Sequence, residues 1–207
     1  MPRRSLWFPV VALALVTACT SGPSAPGDDV YITALKAGRE FKDQTFRDAQ
    51  DSPIPKDKRA TILPLQYFPV DPSYSVPASL KLADTRPAFE MPTSSGALRK
   101  MELVGTLEFT LLGEKRSLGA FVPEGTVKIE SLFIPFADLT TGKETYSAGR
   151  YLDIDPTATG YYTIDFNRAY NPYCAYNASY ECPYPPLSNR LKIEIRAGEM
   201  SPAGHGA

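Results

Sequence analysis

Histidine is almost missing from this 207-residue chain: the only one is His205, in a Gly/Ala tail. That absence excludes a Ser-His-Asp or Cys-His apparatus, a histidine general base and a histidine-ligated metal. No GxGxxG, phosphate loop or GxSxG occurs, so the common nucleotide-binding and serine-hydrolase signatures are absent. Basic runs are absent as well, with 22 Lys+Arg against 23 Asp+Glu, which argues against nucleic-acid binding. No internal repeat is present. Tryptophan occurs once, as Trp7, and cysteine three times, as Cys19, Cys174 and Cys182. Asparagine does not occur before Asn167.

What the chain does contain begins with a processing signal. Arg3 and Arg4 precede an apolar run from Leu6 to Val16, too short to span a bilayer as a mature helix. Val16-Thr17-Ala18-Cys19 resembles a bacterial lipobox. That resemblance implies cleavage before Cys19 and acylation of its thiol and new amine, and two acyl chains suffice for stable anchoring. Residues 1–18 are then a lipoprotein signal peptide, and the mature protein sits in the cell envelope, tethered through Cys19 to a periplasmic or extracellular membrane face. Cleavage leaves 20 basic against 23 acidic residues, a net charge of −3. Residues 19–29 read as a Ser/Pro/Gly tether, residues 30–200 as one domain and residues 201–207 as a disordered tail. A domain of that size needs neither metal nor disulfide simply to fold. Setting Cys19 aside leaves Cys174 and Cys182, expected as a disulfide in an oxidising compartment and contributing roughly 2–3 kcal/mol by loop entropy. Two cysteines fall short of the four Cys or His ligands usual for structural zinc, so no metal or other cofactor is expected.

Asp28 or Asp29 can cap a helix starting near Val30, with Tyr31, Leu35, Gly38, Phe41 or Lys42, and Phe46 along one face. Ser52-Pro53-Ile54-Pro55 ends it. Afterwards the period changes to two. Leu103, Gly105, Leu107, Phe109 and Leu111 alternate with polar residues, and strands follow at Arg116–Val122 and Val127–Phe136. Leu191, Ile193 and Ile195 alternate with Lys192, Glu194 and Arg196. Between Leu63 and Pro92 six prolines confine strands to short or edge positions. The pattern predicts a mainly β fold, an antiparallel sandwich or open barrel carrying one N-terminal helix.

The last third concentrates polar chemistry: all the asparagines, and seven of the twelve tyrosines between Tyr161 and Tyr184. Polar atoms withdrawn from water must be partnered, so such a segment marks a candidate site. Alternation in a strand over Thr163–Asn167 puts Ile164 and Phe166 inward and Asp165 and Asn167 opposite. If that strand neighbours the one bearing Tyr151 and Asp153, then Arg150, Asp153 and Asp165 share a cluster. The candidate ligand-binding residues are Tyr146, Arg150, Tyr151, Asp153, Asp165, Asn167, Arg168, Tyr170, Asn171, Tyr176, Asn189 and Arg190. Tyrosines offer rigid amphipathic surface, amides offer donors and acceptors, and guanidinium groups fork onto carboxylate or phosphate. A polar or anionic small molecule, or an envelope glycan, fits that mixture. The alternative is a carboxylate-dependent hydrolase acting on an envelope substrate, with Asp153, Asp165 or Glu144 as acid and base.

Those same stretches carry a resemblance. Glu144-Thr145-Tyr146, Ala148-Gly149-Arg150-Tyr151-Leu152-Asp153, Asp165-Phe166-Asn167-Arg168-Ala169-Tyr170-Asn171-Pro172 with Cys174-Ala175-Tyr176, and Ala197-Gly198-Glu199 are similar to a prokaryotic family of unknown function, DUF1684. The resemblance runs from about Gln66 onward and implies no activity that could be transferred.

Overall fold

The computed structural model describes residues 26–204; the expected signal peptide, Cys19 and the start of the tether lie outside the described residues, as does His205. Helix α1 spans Pro26–Asp48. It starts earlier than the Val30 expected from capping, and Asp28 and Asp29 in its first turn complement that end's dipole. Residues 26–29, read from sequence as tether, are therefore helix. At its far end the Arg59 guanidinium donates to the carbonyls of Arg47 (2.5 Å), Ala49 (2.7 Å) and Ile54 (3.2 Å). Two of those bonds satisfy carbonyls that the end of a helix leaves without partners. Arg59 itself opens a single turn, α2 (Arg59–Ile62).

Seven strands follow: β1 (Ser75–Leu82), β2 (Ala88–Pro92), β3 (Leu98–Leu111), β4 (Glu114–Pro123), β5 (Leu132–Phe136), β6 (Arg150–Ile154) and β7 (Tyr161–Asp165). They form one antiparallel sheet in the order β6-β5-β4-β3-β1-β7, with β2 paired to the first half of β3, curled into a half-barrel. The fold is thus mainly β with one N-terminal helix, and the open-barrel form replaces a two-sheet sandwich. The inward faces of the strands bury Leu107, Leu118, Ile134 and Ile164, with Phe166 from the turn after β7, in one core, and α1 covers a second cluster of Phe46, Ile54, Ile62, Leu65 and Tyr176. Among the described residues no helix is long and apolar enough to cross a membrane.

Three local departures from the sequence pattern have physical causes. Pro77 sits in β1, between β3 and β7 rather than at an edge, but the β3 ladder begins only at Ala78, so Pro77 has no donor to supply on that side. The strand expected from Val127 shortens to Leu132–Phe136 because β5 meets β4 at a single pair, Phe121↔Phe133. Pro135 has no N–H, and the gap is filled by Asn189. That fully buried amide donates to the carbonyls of Gly119 (2.9 Å) and Pro135 (2.8 Å), and its oxygen accepts from Gly119 N–H (2.7 Å). Residues 191–196 keep their predicted alternation, with Leu191 and Ile195 buried, yet form no strand. Their carbonyls go elsewhere: Leu139 N–H donates to Ile193, and Arg150 donates to Ile195 (2.9 Å). The expected tail is also ordered at its start, where Ser201 N–H donates to the Glu144 carbonyl and Pro202 is buried.

Candidate functional site

Gly198 lets the C-terminal segment pass between residues 66–68 and the turn after β7. Its φ is +79°, and a Cβ there would lie 2.6 Å from the Ala169 carbonyl, so the close approach requires glycine. Backbone bonds from Phe68 to Gly198, Glu199 to Ala169 and Met200 to Gln66 hold the passage. They aim Glu199 beneath α1, where it is 1% exposed. One carboxylate oxygen accepts from Lys42 Nζ (2.5 Å) and the Tyr67 hydroxyl (3.4 Å). The other accepts from the Tyr176 hydroxyl (2.7 Å) and Asn171 N–H (2.8 Å).

Beside it lies a second polar knot. Asp165 caps the turn after β7 by accepting from Asn167 N–H (3.1 Å), and it also takes the Tyr31 hydroxyl (2.7 Å) and Arg168 Nε (3.1 Å). The Asn167 amide bonds both polar backbone groups of Asp71. Arg39 reaches from α1 to the carbonyls of Phe68 (3.0 Å) and Asn167 (3.3 Å), its guanidinium stacked 4.4 Å from the centre of the Tyr67 ring. Its Nε is buried with no acceptor among the described residues. Burial lowers the Arg39 pKa from its ordinary value. Burial, followed by the bond to Asp165, pushes the Tyr31 phenol up to about 12.

Between the helix and these knots a cleft of about 300 Å³ remains, lined by Gly38, Arg39, Lys42, Tyr67, Arg168 and Glu199. A Cβ on Gly38 would meet nothing within 4 Å, so the helix presents open space there. Lys42 is paired with Glu199 and Arg168 with Asp165, so the Arg39 guanidinium leaves the cleft a surplus of one positive charge, suited to an anion.

Tyr170 walls this cleft and a second hollow of about 320 Å³, lined also by Phe133, Tyr151, Tyr173, Tyr180 and Cys182. The Tyr170 hydroxyl donates to Asp153 (2.5 Å) and that of Tyr151 to the Pro183 carbonyl (2.5 Å). Burial first, and then Asp153, raises the Tyr170 phenol far above its usual range. Cys174 and Cys182 are brought together as expected, but as free buried thiols rather than a disulfide. Hydrogen bonds partner both sulfurs without a covalent link: Cys174 N–H donates to Cys182 Sγ (3.1 Å), and the Tyr146 hydroxyl donates to Cys174 Sγ (3.8 Å). The bond between the thiols lowers Cys174 to about 7 and raises Cys182.

The structure brings Asn167, Arg168 and Tyr170 to the cleft and spreads the other sequence candidates. Arg150 is 1% exposed and binds Asp138 (2.8 Å) plus the carbonyls of Ile195, Ala197 and Glu199. Burial lowers its pKa despite Asp138. It is a core clamp with no face for a ligand, and the expected cluster with Asp153 and Asp165 does not form, because Arg150 is held in the core by Asp138 while Asp153 takes the Tyr170 hydroxyl and Asp165 the Tyr31 hydroxyl. Asn189 is the plug already described. Tyr176 and Asn171 support Glu199 from beneath, and Arg190 is exposed beyond the plug. The three candidate carboxylates have separate partners: Glu144 is paired with Arg196 (2.9 Å), which holds it below the usual carboxylate range, Asp153 with Tyr170, and Asp165 with Tyr31 and Arg168. No hydrogen bond or ion pair joins any two of them among the described residues.

Tyr31, Arg39, Lys42, Tyr67 and Glu199 were missed as site residues. One signal was available. Gly38 and Lys42 interrupt the inward stripe of α1, and a glycine and a cation among core positions mark a place where the helix faces a polar space.

Comparison with known proteins agrees with the resemblance. A family model described as a protein of unknown function, DUF1684, matches residues 63–200. A solution NMR structure of an uncharacterised protein from Haloarcula marismortui is 38% identical, covering 84% of this chain and 96% of its own, with a TM-score of 0.66. No curated protein matches the chain.

Proposed function

The chain belongs to the DUF1684 family, whose members carry no assigned activity, and on that premise we propose that it is an envelope lipoprotein that binds a small anionic molecule in the cleft under α1. The observation that supports this is the Arg39 guanidinium, lining the cleft beside Lys42 and Arg168 with a buried Nε that lacks an acceptor. An unpaired buried donor costs about 1–3 kcal/mol, and an anionic oxygen would remove that cost. Glu199 sets the size of the charge surplus and keeps Lys42 in place.

Thermal unfolding in the presence of inorganic phosphate, sulfate, small di- and tricarboxylates or neutral oligosaccharides tests the reading. A ligand at one hundred times its Kd adds about 2.7 kcal/mol, a rise of about 5–10 °C in Tm for a domain of this size. Arg39→Gln should abolish that rise, measured against the variant's own unliganded Tm. Anions that fail to raise Tm, or that raise it equally in the variant, overturn the anion reading; a response to the oligosaccharides alone moves it to a glycan. For the anchor, Cys19→Ala should move the protein from the membrane to the soluble fraction, and a variant that stays membrane-bound refutes lipidation.

A further inference from the structure

We propose that Cys174 and Cys182 form a thiol–disulfide exchange site, at which a small organic disulfide entering the tyrosine-lined hollow is reduced while the pair becomes a disulfide. Two independent features carry this. The thiols are neighbours and unbonded in the folded protein, so the fold is complete without a covalent link between them. The pair is also graded in access: Cys182 lines the hollow of about 320 Å³, and Cys174 lies behind it against Tyr146. A hollow of that volume is within the range of small-molecule sites, and its walls are largely aromatic. Arg99 stands at the rim, donating to the Glu181 carbonyl (3.0 Å) and facing the Glu181 carboxylate at 3.7 Å.

The step balances as follows. At neutral pH the hydrogen-bonded pair carries one proton, with Cys174 lowered to about 7. Cys182, the sulfur that lines the hollow, attacks one sulfur of RSSR as its proton passes across the S–H···S bond to Cys174. The Cys182–SR bond forms, the S–S bond of RSSR breaks, and RS⁻ leaves. Cys174 then gives its proton to that RS⁻ and attacks the Cys182 sulfur, forming the Cys174–Cys182 bond and expelling the second RS⁻. The pair loses two electrons and RSSR gains them, giving RSH and RS⁻.

This site is separate from the anion cleft, and its test is independent of the anion reading. Both cysteines fall in one tryptic peptide, residues 169–190, so mass spectrometry reads them apart from Cys19. Reduced full-length protein is incubated with 2-hydroxyethyl disulfide under native conditions, quenched with an alkylating agent and digested. Loss of both alkylatable thiols with an intramolecular disulfide in that peptide, at a rate half-maximal near pH 7, is the expected result. Cys174→Ser should trap half of the probe on Cys182. Thiols of the native wild type that survive the probe and react only in denaturant overturn the proposal, as does capture on Cys174 in Cys182→Ser at the wild-type rate. If either variant fails to fold, the wild-type reaction alone decides.

Discussion

Replacing Glu199 tests whether one buried carboxylate organises the region under α1. In Glu199→Gln a single carbonyl oxygen must serve two donor pairs. The Asn171 N–H cannot turn away, so the amide oxygen stays toward Asn171 and Tyr176 and the new NH₂ faces Lys42 and Tyr67. Lys42, whose side chain is 27% exposed, swings to water, and the Tyr67 hydroxyl becomes an acceptor. The loss is then one hydrogen bond to a charged group, about 1.5–3 kcal/mol. Glu199→Ala instead strands the Asn171 N–H and the Tyr176 hydroxyl in a dry site and removes the Lys42 partner, so about 3–5 kcal/mol is expected. At about 2–4 °C per kcal/mol, the Gln variant should melt about 3–12 °C lower and the Ala variant about 6–20 °C lower. Urea unfolding followed by far-UV circular dichroism measures both, since Trp7 is the only tryptophan and lies outside the domain. Tyr176→Phe, made in the wild type and in Glu199→Gln, should cost less in the second background. An Ala variant within 1 kcal/mol of wild type, or full additivity with Tyr176→Phe, refutes the hub.

Asn189→Ala should cost roughly 3 kcal/mol or more, because three buried backbone groups of β4 and β5 lose their partner at about 1–3 kcal/mol each; an unchanged urea midpoint refutes the plug. Arg150→Met leaves Asp138 buried without its counter-charge and should destabilise by about 3–5 kcal/mol; adding Asp138→Leu should recover little of that in the same assay, because Thr140 then loses its buried acceptor, and a double variant as stable as the wild type refutes the clamp. The Tyr31 phenol is raised to about 12, so its contribution is complete below the ordinary value of about 10 and is lost as pH rises through about 12. The difference in tyrosinate absorbance between the wild type and Tyr31→Phe should therefore appear only well above pH 10, and a Tyr31 phenol that ionises near pH 10 in folded protein contradicts this.

Elements whose periodicity is local were legible. The stripe from Tyr31 to Phe46 gave α1, and the alternation along Leu103–Leu111 gave the centre of β3. The site was legible in composition only. Asn167, Arg168 and Tyr170 are where the crowding of amides and phenols pointed, but half of the cleft comes from α1, more than 120 residues earlier. A cation at position 39 or 42 on a helix is ordinarily a solvated charge, and only contact with residues 67 and 199 makes it otherwise. Arg150 illustrates the opposite error. A guanidinium is expected outside, and its burial depends on Asp138 and on three carbonyls 45 to 49 residues downstream. Asn189 likewise finds its partners 54 and 70 residues upstream.

The dependence of Arg150 and of α1 on residues 195–199 has a consequence for how the protein is made. A chain that stops before Ile195 offers Arg150 none of those three carbonyls and Lys42 no carboxylate, so neither the interior charge nor the helix has anywhere to settle. Truncation after Glu194 should therefore yield a chain that never matures.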